Sequence, residues 1–285
     1  MSRLSDIAER VRGRARPTVQ EEPAPEPVDM RPPVALRDAI MSGWFRNDED
    51  ELFRGFPVSA DDVVVDVGCG DGRKLGFCAK RGAHVIAVDI DAEALELARE
   101  EVSDTPARVV EVHEARAEAL PIADGTATRV ICSEVLEHVD DPRVVVAELV
   151  RVAAPGALIL ATCPDPLHEQ MQSHIAPASY FEKPNHIRRI ERDELASWFR
   201  EAGLQIVEQD TYGFYWSIWL ALYWAVEADL ADADNPLINH AEHPLLDQWA
   251  SLWQDLLDTE RGRELKAQLD DFLPMSQLIV ARKPE

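Results

Sequence analysis

Two short stretches of this 285-residue chain carry residue types that can do chemistry. The first is Asp66-Val67-Gly68-Cys69-Gly70-Asp71-Gly72, followed by Asp89 at the end of Val85-Ile86-Ala87-Val88. Glycines let a backbone approach a ligand closely, and a helix that starts beyond them offers unpaired N–H groups. An acid about 20 residues further on, at the end of the next strand, can accept hydrogen bonds from both hydroxyls of a ribose. Residue 73 is Arg, so the spacing is Gly-x-Gly-x-Gly and the Gly-x-Gly-x-x-Gly fingerprint of dinucleotide enzymes is not met.

The second stretch is Ser133-Glu134-Val135-Leu136-Glu137-His138-Val139. On a helix, positions i, i+3 and i+4 share one face, so this spacing predicts that Glu134, Glu137 and His138 point together. Two carboxylates and an imidazole make an oxygen and nitrogen ligand set suited to Mg²⁺ or Mn²⁺. The alternative is surface and capping chemistry, with His138 ending a short helix.

The elements around these stretches alternate. Val63–Val67, His84–Val88, Arg108–Val112, Arg129–Cys132, Ala157–Thr162, Leu204–Gln209 and Gln277–Ala281 read as strands. Residues 73–81, 92–101, 142–153 and 192–202 read as helices between them, with Asp91 as an N-cap and Gly203 closing the last. This order predicts an α/β fold, a doubly wound, seven-stranded and mostly parallel sheet. Residues 1–33, with their Pro/Glu run, read as a mobile tail. Residues 34–56 read as an amphipathic helix with Leu36, Ile40, Trp44 and Phe45 on its apolar side. Residues 163–190 form a long connection after the fifth strand. Residues 211–272 read as a helical insertion between strands six and seven, leaving 34–210 and 273–285 as the main domain.

Val64-Val65-Asp66-Val67-Gly68-Cys69-Gly70-Asp71-Gly72 resembles motif I of the class I methyltransferases that use S-adenosyl-L-methionine (SAM). The likeness runs from about residue 61 to 209 and returns at 277–281. It implies that Gly68, Cys69, Gly70 and Gly72 face the methionine part of SAM, with Asp66 near its amino group. It further implies that Asp89 holds the ribose, Ile90 packs on the adenine, and the methyl donor sits beside Ser133. Ala117-Glu118-Ala119-Leu120-Pro121 looks like the family segment after strand three. Many relatives have an Asp before that Ala, which binds the adenine amino group. Arg116 stands there in this chain, leaving the backbone of Ala117 and the side chain of Glu118 as candidates, with Glu118 as a solvent-facing acid the alternative.

Glu134-Val135-Leu136-Glu137-His138 resembles the metal-binding motif of two methyltransferase families. One comprises the ubiquinone-biosynthesis O-methyltransferases, the other the 2′-O-methyltransferases of small RNAs. In the RNA family a further histidine completes the site. Asn185-His186-Ile187-Arg188-Arg189 resembles the segment that supplies it, which makes His186 the fourth expected ligand, with His168 and His174 as rivals. If His138 or His186 is not a ligand, either can serve as general base near neutral pH.

Bulk properties narrow the acceptor. The net charge of −24, from 53 acids against 29 bases, repels phosphate backbones and argues against nucleic acid. Cys69, Cys78, Cys132 and Cys163 form no Cys-x-x-Cys pair and read as reduced thiols of a cytoplasmic protein. The apolar run 214–226 is too short for a bilayer span of roughly 20 residues. Tyr212, Phe214, Tyr215, Trp216, Trp219, Tyr223 and Trp224 either line an acceptor cavity or pack as the core of a cap or a homodimer interface. The sequence reading is O-methylation of a small-molecule, glycan or lipid-like hydroxyl, with possible divalent-metal assistance. Its rivals are a metal-free N- or C-methyltransferase, a non-catalytic SAM-binding protein and an NAD enzyme.

Overall fold

The β-branched run from Val63 forms the middle of a large sheet, and its alternation decides what packs on each face. Val65 and Val67 enter one core and Val64 the other. The computed structural model describes residues 33–226 and 243–285. The tail read over 1–33 lies outside these except for its last residue, as does the 227–242 part of the insertion.

The chain begins with α1 (Val34–Ser42) and three short strands, β1 (Trp44–Arg46), β2 (Glu51–Phe53) and β3 (Phe56–Pro57). The alternating part follows as β4 (Val63–Val67), α2 (Arg73–Ala79), β5 (His84–Asp89), α3 (Ala92–Ser103) and β6 (Val109–Glu114). Next come β7 (Ala127–Ser133), α4 (Pro142–Val152), β8 (Ala153–Pro164), α5 (Pro166–Gln172) and a single 3-10 turn (Ala178–Phe181). The chain continues through α6 (Arg192–Glu201), β9 (Gln205–Tyr212), α7 (Phe214–Val226), α8 (Pro244–Asp258), α9 (Glu260–Phe272) and β10 (Ser276–Arg282).

The seven-stranded sheet has the order β6-β5-β4-β7-β8-β10-β9. β4 to β8 pair in parallel, and β10 runs antiparallel to both its neighbours. This is the doubly wound, mostly parallel sheet expected from the sequence. Strand order reverses at β4 and β7, so ligands are expected beyond their carboxyl ends. One face of the sheet is covered by α4 and α6 through Val145, Leu149, Leu195 and Phe199. The other is covered by α2 and α3 through Leu75, Leu95 and Ala98. Gly72, at φ +78°, starts α2 where an added Cβ would lie 2.7 Å from Ala98 Cα, so glycine there sets how closely α2 and α3 pack.

Residues 34–56 do not form one helix. α1 stops at Gly43, which adopts φ +108°, and the chain folds back as a three-stranded antiparallel sheet. Trp44, Phe53 and Phe56 join the α2/α3 side of the core. Leu36 and Ile40 are exposed, whereas Asp38 on the same helix is buried.

Asp38 accepts from Trp253 Nε1 of α8 at 2.8 Å and lies 3.4 Å from Lys266 Nζ of α9, itself buried. Lys266 also pairs with Asp270, whose carboxyl accepts from Gly213 N and Phe214 N at the start of α7. This polar network joins α1 to the helices that precede β10. Tyr215, Trp219 and Tyr223 of α7 pack with Leu246, Trp253 and Leu257 of α8 as a third core. Among the described residues, no helix is long and apolar enough to cross a membrane.

Candidate active site

The loop after β4 is held on the end of β5. Gly68 N and Cys69 N both donate to Val88 O, at 2.8 and 3.1 Å. Gly70 N donates to Asp89 Oδ2 at 3.0 Å, while Asp89 Oδ1 accepts from Asp91 N. The expected ribose acid therefore also fixes the loop. A Cβ on Gly70 would meet nothing within 4 Å, so this turn faces open space. A Cβ on Gly68 would lie 2.3 Å from Val135 Cγ2, so the loop packs directly on the turn that follows β7. Ile90, directly after Asp89, is 66% exposed. Glu118 pairs with Arg116 at 2.8 Å, and Ala117 packs against the core.

Asp66 points to the α2 side and is buried. Burial pushes its carboxyl up to about 7, with Lys74 of α2 acting in the opposite direction. Cys69 is buried too, and burial raises its thiol, so it stays neutral.

The turn after β7 differs from the helix its spacing predicts. Glu134 adopts φ +56°, residues 135–140 form no helix, and α4 begins only at Pro142. Asp141 is the N-cap, accepting from Arg143 N, and Pro142 occupies the first turn where its missing N–H costs nothing. Glu134, Glu137 and His138 thus do not share a helical face. Glu134 accepts from Thr162 Oγ1 at 2.8 Å, and Thr162 in turn bonds Ser133 Oγ at 2.7 Å.

Residues 183–190 complete the cluster by running alongside this turn. Ile187 N donates to Glu137 O at 3.0 Å, Arg188 donates to Val139 O at 2.9 Å, and His138 Nδ1 meets Pro184 O at 3.0 Å. One ligand atom from each of Glu137, His138 and His186 lies within 4.8 Å of the other two. The two imidazole rings are 5.0 Å apart. Glu134 stands beside this trio, close enough for its charge to act on Glu137.

The protonation states follow from the partners. A carbonyl only accepts, so Nδ1 of His138 carries the proton. Burial lowers the His138 pKa, so the ring is neutral near pH 7 and Nε2 holds a lone pair. That lone pair is 3.7 Å from Glu137 Oε1. Glu137 is 1% exposed, and neither of its carboxyl oxygens has a hydrogen-bond partner from another residue. Burial, then the charge of Glu134, pushes its pKa well above the ordinary value. Facing lone pairs around a buried, unpartnered carboxyl fit a cation.

The sequence rivals fall elsewhere. His168 is fully buried, its Nδ1 meets Ser217 Oγ of α7 at 2.9 Å, and burial lowers its pKa to about 3. His174 is exposed at the end of α5. Glu169 is a residue the sequence reading missed: it is buried on α5, with Oε1 3.0 Å from His186 Nδ1. An acid on a short helix gives no sequence signal of that contact.

Comparison with known proteins finds methyltransferases. A family model described as a methyltransferase domain matches residues 65–161. The ubiquinone biosynthesis O-methyltransferase of Hahella chejuensis is 32% identical over 197 residues, covering 65% of this chain and 77% of that protein. That of Xylella fastidiosa is 29% identical over 199 residues, covering 64% and 80%. Among solved structures, a putative methyltransferase from Bacillus halodurans shares the fold at TM-score 0.52 and 20% identity, covering 80% of this chain and 95% of that one.

The chain belongs to the class I SAM-dependent methyltransferases.

In this methyltransferase the glycine loop and the Glu137 turn are therefore adjacent parts of one region, joined through Gly68 and Val135. α7 reaches the same region. Tyr180 packs on the His186 ring with centroids 4.6 Å apart and on Trp224 at 5.6 Å. Most of the insertion's other aromatics belong to the third core: Tyr215, Trp219 and Tyr223 are buried in it and Phe214 and Trp216 pack against it, while Tyr212 sits against the α2/α3 side.

Proposed function

We propose that the protein transfers the methyl group of SAM to a hydroxyl of a small-molecule, glycan or lipid-like acceptor, using a divalent cation, Mg²⁺ or Mn²⁺, held by Glu137, His138 and His186. The observation that carries the reading is the buried Glu137 carboxyl without a partner, facing the Nε2 lone pair of His138 at 3.7 Å. Relatives named for O-methylation support oxygen as the atom methylated.

SAM supplies a methyl group on a sulfonium, open to in-line displacement. A cation held by Glu137, His138 and His186 would supply Lewis acidity, lowering the pKa of a bound hydroxyl so that its proton leaves to solvent as the oxygen takes the methyl group. The remaining work belongs to the chain. Asp89 and the Gly70 turn orient the ribose side of the donor, and Asp66 answers the positive amino group. Gly68, Cys69, Gly72 and Ser133 shape the methionine side, and Ile90, Ala117 and Glu118 border the adenine. Glu134, whose carboxyl accepts from Thr162 and whose charge acts on Glu137, is the fourth candidate ligand. Proximity and alignment of the two reactants provide much of the rate. His138, the most open member of the trio at 34% side-chain exposure, is the candidate base if the reaction runs without metal.

The test is formation of S-adenosylhomocysteine from SAM with a panel of catechols and vicinal diols. Activity is expected to fall with EDTA, to return with Mn²⁺ or Mg²⁺, and to be absent in Glu137→Gln. Equilibrium dialysis should show no Mn²⁺ on that variant. Full activity in EDTA, with Glu137→Gln as active as the wild type, overturns the cation and leaves a metal-free methyltransferase.

A further inference from the structure

The two histidines of the trio are each held by Nδ1, by different means. His138 uses a backbone carbonyl, Pro184 O at 3.0 Å. His186 uses a side chain, Glu169 Oε1 at 3.0 Å. Glu169 is 3% exposed and lies in the first turn of α5, where the helix N-terminus favours a negative charge. A carboxylate accepts, so His186 places its proton on Nδ1, which leaves Nε2 as the ring nitrogen with a lone pair for the site it shares with Glu137 and His138. Tyr180 packs on the His186 ring with centroids 4.6 Å apart, and its phenol is raised by burial and then by the Glu169 charge. α5 is itself fixed from behind. Its N-cap Asp165 bonds Arg192 at 2.6 Å, and His168 bonds Ser217 of α7 at 2.9 Å.

We propose that Glu169 is a positioning residue for the cation site: it accepts from His186 Nδ1–H, fixes the ring and its tautomer, and so presents Nε2 as a ligand. The proposal rests on the cation reading above, and it names a residue that no part of the Glu-x-x-Glu-His pattern includes. A carboxylate behind a ligating histidine sets ring orientation and raises the ligand's basicity, and its loss typically weakens metal binding about 10–100-fold.

Two measurements test it on the full-length protein. In the first, the metal-free protein carries ¹⁵N-labelled histidine, and two-bond ¹H–¹⁵N correlations read the tautomer of each ring. His186→Gln assigns the His186 signals. The expected result is Nδ1–H in the wild type and a shift towards Nε2–H in Glu169→Ala. In the second, calorimetry follows Mn²⁺ binding. Glu169→Ala is expected to bind about 10–100-fold more weakly, and Glu169→Gln less so, because its amide oxygen still accepts from Nδ1. SAM affinity should stay unchanged in both variants. If Glu169→Ala does not fold, Glu169→Gln and the wild-type tautomer carry the test.

An Nε2–H tautomer in the wild type overturns the proposal, as does wild-type Mn²⁺ affinity in Glu169→Ala. Loss of Mn²⁺ in Glu169→Gln as complete as in Glu137→Gln also overturns it, by making Glu169 a ligand. A wild type that binds no Mn²⁺ withdraws the cation reading and this proposal together. Loss of the Glu169 effect alone withdraws only this proposal.

Discussion

Replacing Asp66 by Asn should stabilise the protein and weaken its hold on the donor. Asp66 is 2% exposed, and its carboxyl is raised from 3.8 to about 7, chiefly by burial. A raised folded-state pKa means that its contribution to stability is fully present below about pH 4 and is lost as pH rises towards 7. About three pH units at 1.36 kcal/mol each give a cost on the order of 4 kcal/mol at pH 7 and above. Asn keeps the shape and carries no charge. At roughly 2–4 °C per kcal/mol, the variant should melt about 8–16 °C above the wild type near pH 8, and within about 2 °C of it near pH 4. SAM binding should move the other way. The donor's ammonium favours ionised Asp66, so wild-type affinity should rise with pH by up to tenfold per unit until about pH 7 and then level off. The variant should bind more weakly with no such slope. Scanning calorimetry from about pH 4 to 8 and titration with SAM provide both readouts. Melting curves that stay parallel across this range would refute the burial argument. A SAM affinity with the same pH slope in both proteins would refute the pairing with the amino group.

Further outcomes follow from other parts of the structure. Asp89→Ala removes the acceptor of Gly70 N, so SAM affinity by calorimetry should fall by about 2–3 kcal/mol, the range of a charge-assisted hydrogen bond and its loop. Gly68→Ala, whose Cβ would meet Val135 at 2.3 Å, should lose about 2–4 kcal/mol in denaturant unfolding. Gly70→Ala, with free space around it, should lose only about 1 kcal/mol, and equal losses in the two variants would contradict the packing. Lys266→Met leaves Asp38 and Asp270 buried without their cation and should cost about 3–5 kcal/mol near pH 7.5. The loss should shrink near pH 5, because Asp38, raised by burial to about 6, is then protonated. A loss independent of pH would show that packing, not charge, is what the lysine provides.

The sheet was legible because its strands are apolar runs, β-branched in β4, set between glycine, proline and acid-capped helices. The glycine loop after β4 and its tie to Asp89 were legible too, because glycine spacing and a strand-end acid are local signals. The turn carrying Glu137 and His138 was misread in geometry though not in composition. Its spacing suits a helix, yet Asp141-Pro142 starts the helix only afterwards, and the cluster closes through residues 183–190, which meet the turn across the fold. Trp44 and Phe45 extend the apolar pattern of α1, but Gly43 ends that helix, and tertiary contact with Phe53 and Phe77 decides their place. The Asp38–Lys266–Asp270 network and the Glu169–His186 contact link residues far apart in sequence, and no periodicity announces such pairs.

β9 and β10 are hydrogen-bonded neighbours, with Tyr212 opposite Ser276. Everything between them, including α7, α8 and α9, therefore leaves and re-enters the sheet at adjacent points. For a chain held at such a gate, added length changes closure entropy only slowly. What residues 213–275 cannot lose without cost are their ties to the rest of the fold, the Asp38–Lys266–Asp270 network and the His168–Ser217 bond; the sheet register of β10 constrains their contacts, not their length.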